Sequence, residues 1–452
     1  MHGVDLTKGA IGKHLWKLSW PMMLSMFFHT FYNLVDAFWV AKISPAAIAA
    51  VSISQISLFV MISLAMGLSV GSSVLMGMSM GAGDKDEAER VLGQGYTLSI
   101  VAAVFFTVLA FVFREQFLTL SGAIGDIFPM ALSYFSITSL GSVLMFMMMN
   151  TSTAFNAQGD NLTATKYFAV STLMNVVLDP LLIFGFGSFG GFGVAGAAYA
   201  TLISQFVFLA LAMRMLMSDG MMIRFKLKNL GLKWDSVKRV FQIGIPASLT
   251  QTLNPLSFLF LIALVSGAFF EAGAAAFSIG FRIEFFAFIP AVGFGFGAMA
   301  MMGQNLGAKN FERLKEIIVT AIKYGAGAAL GFSVLVWLGA PYIVGAFTDD
   351  PLVTEYALAY FRIVPLGYPC FAIAFIETSL FQGFGRSWPG FWITFGRVAL
   401  VIGIAYLSVI SWSMGINAVW FALMIGSIVA SVIGFVWIWK VINNEIEKSS
   451  NL

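Results

Sequence analysis

Residues 20–39 read Trp-Pro-Met-Met-Leu-Ser-Met-Phe-Phe-His-Thr-Phe-Tyr-Asn-Leu-Val-Asp-Ala-Phe-Trp. The run is apolar and long enough to cross a bilayer as a helix, which takes about 20 residues. It carries a helix-kinking proline, Pro21, near one end and a carboxylate, Asp36, near the other. His29, Asn33 and Asp36 follow an i, i+4, i+7 spacing, which puts them on one helix face. Holding a bare carboxylate inside a spanning helix costs roughly 2.5–3.5 kcal/mol. An acid kept at that cost reads as functional, so Asp36 is the first candidate for a site.

Working outward, the whole chain shares this character. Its 452 residues are 59% apolar and 10% charged, and the mean hydropathy is +0.89. Soluble domains carry about 25% charged residues, so this is a polytopic membrane protein. The net charge of +3 points to no class of partner. The positive charges cluster by loop, which bears on orientation and not on nucleic acid. The lone Cys370 excludes an intramolecular disulfide and a zinc site built on cysteines. The first apolar run is too long for a signal-peptide core and is expected to be a true span.

Twelve segments have spanning length: 16–40, 46–79, 92–113, 127–156, 163–186, 193–217, 237–265, 272–302, 317–339, 353–380, 389–411 and 416–440. Each is expected to be a helix, because lipid offers no partner to backbone polar groups. Lys and Arg gather at the N-terminus (Lys8, Lys13, Lys17), in the even-numbered connections and at the C-terminus (Lys440, Lys448). The richest connection holds Arg214, Arg224, Lys226, Lys228, Lys233, Lys238 and Arg239. The odd connections carry little beyond Lys42 and Arg114. The positive-inside bias therefore puts both termini in the cytoplasm.

The chain also repeats itself. Pro21 answers Pro246 at a shift of 225 residues. Met76-Gly77-x-x-x-Gly81-Ala82 answers Met302-Gly303-x-x-x-Gly307-Ala308, and Phe155-x-x-x-Gly159 answers Phe381-x-x-x-Gly385, both at a shift of 226. With six spans per half, both halves share one orientation, as parallel repeats about an axis along the membrane normal. The expected fold is an all-α membrane protein of twelve transmembrane helices in two six-helix lobes. The lobes are expected at 1–217 and 237–452, joined by a basic cytoplasmic linker at 218–236.

Several runs together resemble the MATE (multidrug and toxic compound extrusion) family. They are Pro21 and Asp36 in the first span, Met76-Gly77-Met78-Ser79-Met80-Gly81-Ala82 after the second, and Phe155-Asn156-Ala157-Gln158-Gly159-Asp160 after the fourth. The fifth span adds Asn175-Val176-Val177-Leu178-Asp179-Pro180-Leu181-Leu182-Ile183-Phe184-Gly185, and Gly193-Val194-Ala195-Gly196-Ala197-Ala198 opens the sixth. The resemblance covers essentially all twelve spans. Within the family the pattern is similar to the DinF-type prokaryotic branch, which keeps its membrane acids in the N-terminal lobe. The seventh span, Ile245-Pro246-Ala247-Ser248-Leu249-Thr250-Gln251-Thr252-Leu253-Asn254-Pro255, carries no acid. It thus departs from NorM-type members, and a sodium site in the second lobe is not expected.

The acids can also be read directly. The first and fifth spans both run outward, and Asp36 and Asp179 lie towards their outer ends, so they sit at similar depth. Asn175 and Asp179 are i, i+4 and share a face. Two carboxylates in a low-dielectric pocket do not both hold their charge cheaply, which suits a proton carrier. Asn175, Tyr32, Asn33 and His29 are the side chains placed to hydrogen-bond them. Pro180 lacks the N–H that would close the helix ladder, so a backbone carbonyl there is available to a sodium ion at Asp36 and Asp179. The mechanism that the resemblance implies is antiport: a proton or sodium ion neutralises Asp36, the first span bends near the hinge Pro21, and substrate leaves outward.

Arg282 and Glu284 in the eighth span, Arg362 and Glu377 in the tenth and Arg397 in the eleventh are expected to pair across the second lobe. Glu377 is the next candidate for a functional acid, followed by Glu284 and Arg282. The abundant Phe and Met (46 and 25 residues) suit an adaptable cavity for bulky organic cations. No enzyme is expected. Gly185-Phe186-Gly187-Ser188-Phe189-Gly190 fits G-x-G-x-x-G but joins two spans, so it reads as a loop. No P-loop, metal cluster or cofactor motif occurs. The alternatives are a sodium-coupled exporter and a flippase for lipid-linked precursors, which calls for a cavity lined by several basic residues. The expected partners are organic cations or drugs, protons or sodium, and lipids of a prokaryotic inner membrane. A monomer suffices.

Overall fold

The computed structural model describes residues 3–187 and 190–450. Each expected span falls on a helix or a helix pair. The first half contains α1 (Ile11–Ala41), α2 (Pro45–Gly81), α3 (Lys85–Val112), the short α4 (Arg114–Leu120), α5 (Ile127–Leu140), α6 (Ser142–Ala157), α7 (Asn161–Phe184) and α8 (Val194–Leu216). Helices α5 and α6 form the fourth span, bent by 49°. The second half begins with α9 (Trp234–Gly307), which holds the seventh and eighth spans. Its only interruption is a break at Phe269 and Phe270, where Phe270 takes φ 54°. Then come α10 (Phe311–Gly345), α11 (Pro351–Ile363), α12 (Tyr368–Gly383), α13 (Ser387–Tyr406) and α14 (Asn417–Ser450). The tenth span is α11 and α12, joined by a tight turn at Val364–Gly367. The G-x-G-x-x-G loop expected at 185–190 includes Ser188 and Phe189, which lie outside the described residues.

The sequence supplies its own starts and stops. Ser44 accepts from the backbone N–H of Ala47 with Pro45 at the first helical position, and Asp84 accepts from Glu87. Asp350 accepts from Leu352 and Val353, again with a proline following. These side chains satisfy donors that the first helical turn leaves open. The stops repeat at the shift seen in the sequence. After α2, Gly83 N–H donates to Met80 and Asp84 N–H to Ser79; after α9, Lys309 N–H donates to Leu306 and Asn310 N–H to Asn305. After α6 and α12 the same pairs recur: Gly159 to Asn156 and Asp160 to Phe155, then Gly385 to Gln382 and Arg386 to Phe381. All four closures use a left-handed residue, with φ of 76°, 54°, 74° and 75°. Three are glycines and the fourth is Lys309, which bears a Cβ in a conformation that disfavours one.

The chain forms two compact units, and their seams lie inside helices. One unit is Leu24–Ser248 with the first few residues; the other is Leu6–Met23 with Leu249 onward. Set beside the lobes expected at 1–217 and 237–452, the units group Leu6–Met23 with the second half, and the first unit runs on through the opening residues of α9 to Ser248. In the first unit, residues 234–248 lie along α2. A Cβ on Gly71 would sit 2.5 Å from the Val240 carbonyl oxygen, and one on Gly67 would run into Ser248 and the Gly244 carbonyl. In the second unit, residues 11–23 lie along the later part of α9. There a Cβ on Gly293 would meet Met23 at 2.7 Å, and one on Gly297 would meet Ser19 Oγ at 2.9 Å. Both contacts are G-x-x-x-G runs, which let membrane helices approach to backbone distance. Residues 6–9 are tied into the same second unit. Leu6 N–H donates to Gln304 Oε1 at 2.9 Å, Asn305 donates back to the Leu6 carbonyl at 3.1 Å, and Arg313 donates to the Gly9 carbonyl at 2.9 Å.

Each unit has its own core. In the first, Val40, Ala47, Val51, Tyr134, Ile183, Val194 and Ala197 pack together. Val40 is one turn beyond Asp36 and Ile183 one turn beyond Asp179, so this cluster sets both acids at one depth. In the second, Phe277, Tyr360 and Trp420 pack together with ring centroids 4.9–6.4 Å apart.

Two stability outcomes follow. Gly71→Ala presses a methyl on a backbone carbonyl, and should lower stability by about 1–3 kcal/mol. Gly297→Ala meets only a rotatable hydroxyl and should stay within about 1 kcal/mol of wild type. Unfolding midpoints in detergent measure both, and equal losses would contradict the argument. Lys309→Gly should raise the midpoint by relieving about 1 kcal/mol of left-handed backbone strain.

Candidate functional site

The first unit buries two carboxylates among apolar helices. Asp36 on α1 is 4% exposed, and Asp179 and Asn175 on α7 are 0% exposed. One helical turn brings Asn175 Nδ2 to Asp179 Oδ1 at 3.2 Å. Asp36 and Asp179 lie within electrostatic reach of each other. Among the described residues, Asp36 Oδ1, Asp179 Oδ2 and Asn175 Oδ1 have no hydrogen-bond partner. Buried acceptors normally find a donor. Three orphaned oxygens in one cluster leave room for a proton on either acid or for a small cation between them. Pro180 lies within α7 directly after Asp179, so the N–H that would meet the Val176 carbonyl is missing.

The structure groups some of the expected neighbours and not others. Tyr32 lies within electrostatic reach of both acids, and its hydroxyl shares a 2.6 Å hydrogen bond with Thr201 on α8. His29 and Asn33 sit on exposed parts of α1 and make no hydrogen bond to either acid. His29 instead stacks with Tyr32 and packs at a tilt against Phe168, at centroid distances of 6.3 and 6.2 Å. Tyr134 on α5, which sequence reasoning missed, is 5% exposed and within electrostatic reach of both acids. No signal in the sequence marked it, because Ser133, Ser136, Thr138 and Ser139 put other hydroxyls on the same helix. Pro21 is buried, two residues before the seam between Met23 and Leu24.

The charges of the second unit do not form the expected ion-pair network. Glu284 accepts a 2.6 Å hydrogen bond from the Tyr360 hydroxyl. Arg397 donates to Asn254 Oδ1 at 2.5 Å, and its guanidinium lies over the Phe371 ring at 4.9 Å. Glu284 and Arg397 are close enough to interact electrostatically without a direct ion pair. Arg282 and Arg362 are exposed and have no ion pair among the described residues. Arg282 and Glu284 are two residues apart, which turns them to different sides of α9. Glu377 is 0% exposed and both its oxygens lack a partner. It occupies the space that a side chain on Gly434 of α14 would need. Among the described residues no cluster of three His, Cys, Asp or Glu is arranged to hold a metal ion.

Known proteins share both the sequence and the fold. The MatE family model matches residues 21–181 and 246–407, so the two matched stretches open at Pro21 and Pro246. An FAD transporter of Shewanella oneidensis is 26% identical over 408 residues, covering 89% of this chain and 88% of that protein. A probable multidrug resistance protein NorM of Thermotoga maritima is 25% identical, covering 92% and 89%. A solved MATE structure in a bent conformation superimposes with a TM-score of 0.93 at 28% identity, over all of this chain and 99% of that one. A MATE structure in a straight conformation gives 0.92 at 27% identity, covering 99% of each. With the repeat, the twelve spans and the family model all in register, the chain belongs to the MATE family of membrane transporters and is not an enzyme.

Proposed function

We propose that this chain is a cation-coupled antiporter that exports bulky organic cations by alternating access, with Asp36 and Asp179 as the coupling acids. The observation that carries the reading is the buried pair of carboxylates with orphaned oxygens in one membrane unit. Charged, each costs several kcal/mol in such surroundings; neutralised by a proton, it costs little. Binding a proton from outside therefore changes which arrangement of α1 and α7 is stable. Asn175 orients Asp179 through its hydrogen bond, and Tyr32 lies beside both acids. Pro21 serves as the hinge, because the units meet inside α1 two residues beyond it. A solved bent form and a solved straight form of a relative agree with such a movement. The proton is the preferred ion because two adjacent carboxylates readily share one; sodium at the same acids is the alternative. The protein acts as a monomer in a prokaryotic plasma membrane, with both termini cytoplasmic. The relative described as an FAD transporter extends the family's cargo beyond drugs.

Purified protein in liposomes, given a fluorescent organic cation and then a proton or a sodium gradient, tests this. Transport should follow the proton gradient and fall in Asp36→Asn to the level of protein-free liposomes. Wild-type rates with unchanged pH dependence in that variant would overturn the assignment, and transport driven by sodium alone would change the ion. Pro21→Ala should slow transport at least several-fold while cation binding at equilibrium stays within about twofold, since a hinge governs movement and not the binding contacts.

A further inference from the structure

Glu377 lies within α12 of the second unit, and the coupling reading gives it no role. It is 0% exposed, and among the described residues neither carboxyl oxygen has a hydrogen-bond partner. Its Oε2 lies where a Cβ on Gly434 of α14 would be, and Ile393 of α13 borders the same slot. The missing side chain at Gly434 lets the carboxyl rest against α14. No charge balances it. Helices α9, α10, α13 and α14 pack on α12. Of their charged side chains, Arg282, Lys323 and Lys440 are exposed, Glu284 is engaged by Tyr360 and Arg397 by Asn254. Tyr324 of α10 packs against Phe294. No charged group lies within electrostatic reach of Glu377.

The repeat shows that the frame itself does not demand an acid here. The shift of 226 residues that carries Phe155 onto Phe381 also carries Thr151 onto Glu377 and Tyr96 onto Ile322. In the first unit the Tyr96 and Thr151 hydroxyls share a 2.5 Å hydrogen bond, and Thr151 donates to the Met147 carbonyl at 2.6 Å. The second unit puts a longer acid in place of the satisfied hydroxyl and an aliphatic chain in place of its partner. Enclosed without a donor or a cation, a carboxylate is far more expensive than the neutral acid.

We propose that Glu377 is a proton-binding site of the second unit, and that its proton holds α12 against α14. A proton from solvent bonds to a carboxylate oxygen, and the neutral carboxyl rests on Gly434. When that proton leaves, the carboxylate draws towards water and α12 parts from α14 around Gly434. The same opening lets the site exchange its proton with solvent. Each unit then carries its own proton-responsive element, a pair of acids in the first and a single acid in the second. The site is separate from Asp36 and Asp179, so its test needs neither substrate nor gradient.

Hydrogen–deuterium exchange of the full-length protein in nanodiscs, read by mass spectrometry, tests this. Wild type, Glu377→Gln, Glu377→Thr and Asp36→Asn are compared at matched pH, which cancels the intrinsic pH dependence of exchange. In acidic buffer, peptides covering residues 427–441 should be equally protected in all four. In alkaline buffer they should exchange several-fold faster in wild type and Asp36→Asn than in the two Glu377 variants, whose neutral side chains cannot respond. Equal protection at every pH would overturn the proposal. So would a difference between wild type and Glu377→Gln that does not vary with pH, which marks a packing role alone. Loss of the response in Asp36→Asn would assign it to the first unit and also overturn the proposal. Glu377→Thr, which carries the residue of the matching position in the first unit, decides the matter if Glu377→Gln does not fold. If neither folds, wild type decides it. Exchange at 427–441 must then rise with pH more steeply than in an unstructured peptide of the same sequence, and an equal slope would overturn the proposal.

Discussion

Lipid cannot hydrogen-bond the backbone, and the rest of this molecule follows from that constraint. It makes every span a helix and requires each helix end to close on itself or on a capping side chain. The closures after α2, α6, α9 and α12 are built alike because each half of the chain must solve the same problem at the same places. Lipid also removes the usual drive to bury apolar surface between helices, since the tails are as apolar as Leu. Close contact has to come from shape, and the pairs Gly67/Gly71 and Gly293/Gly297 supply it by omitting side chains. Against that background an unmatched polar atom stands out. Among the buried atoms without a partner are carboxylate oxygens of Asp36, Asp179 and Glu377, the costliest such groups to leave unmatched in these surroundings.

Much of this was legible beforehand, for physical reasons. Hydropathy finds spans because lipid tolerates so little else, and the repeat shift of 226 residues carries through to individual backbone hydrogen bonds. The common depth of Asp36 and Asp179 could be read because two spans of one direction place equivalent turns at equivalent heights. Neighbours across helices were not legible. Helical periodicity tells which residues share a face, but not which helix lies opposite. His29 and Asn33 share a face with Asp36, yet they lie exposed where Asp36 is enclosed by α7 and Tyr134. The unit seams were hidden for a related reason: nothing in an apolar helix marks where its packing partners change. Pro21 and Pro246 stand close to those points, yet a proline alone does not reveal an exchange.

The two units carry different chemistry on similar frames. One has a pair of carboxylates, one of them held by an amide, with two tyrosines nearby. The other has an arginine held by an amide and a phenyl ring, a glutamate held by a tyrosine, and one enclosed glutamate facing a glycine. Duplication supplied matching scaffolds, and divergence placed acids on one and a guanidinium on the other.

The exchange of half-helices also bears on how such a chain arose. Residues 11–23 complete the unit built mainly from the second half, and residues 234–248 complete the one built from the first. A six-helix half made alone would lack one strut and would present an unfilled glycine groove to receive it. Two copies could satisfy each other only by trading their opening segments, as swapped dimers do. Each compact unit thus draws one short segment from the other half of the chain.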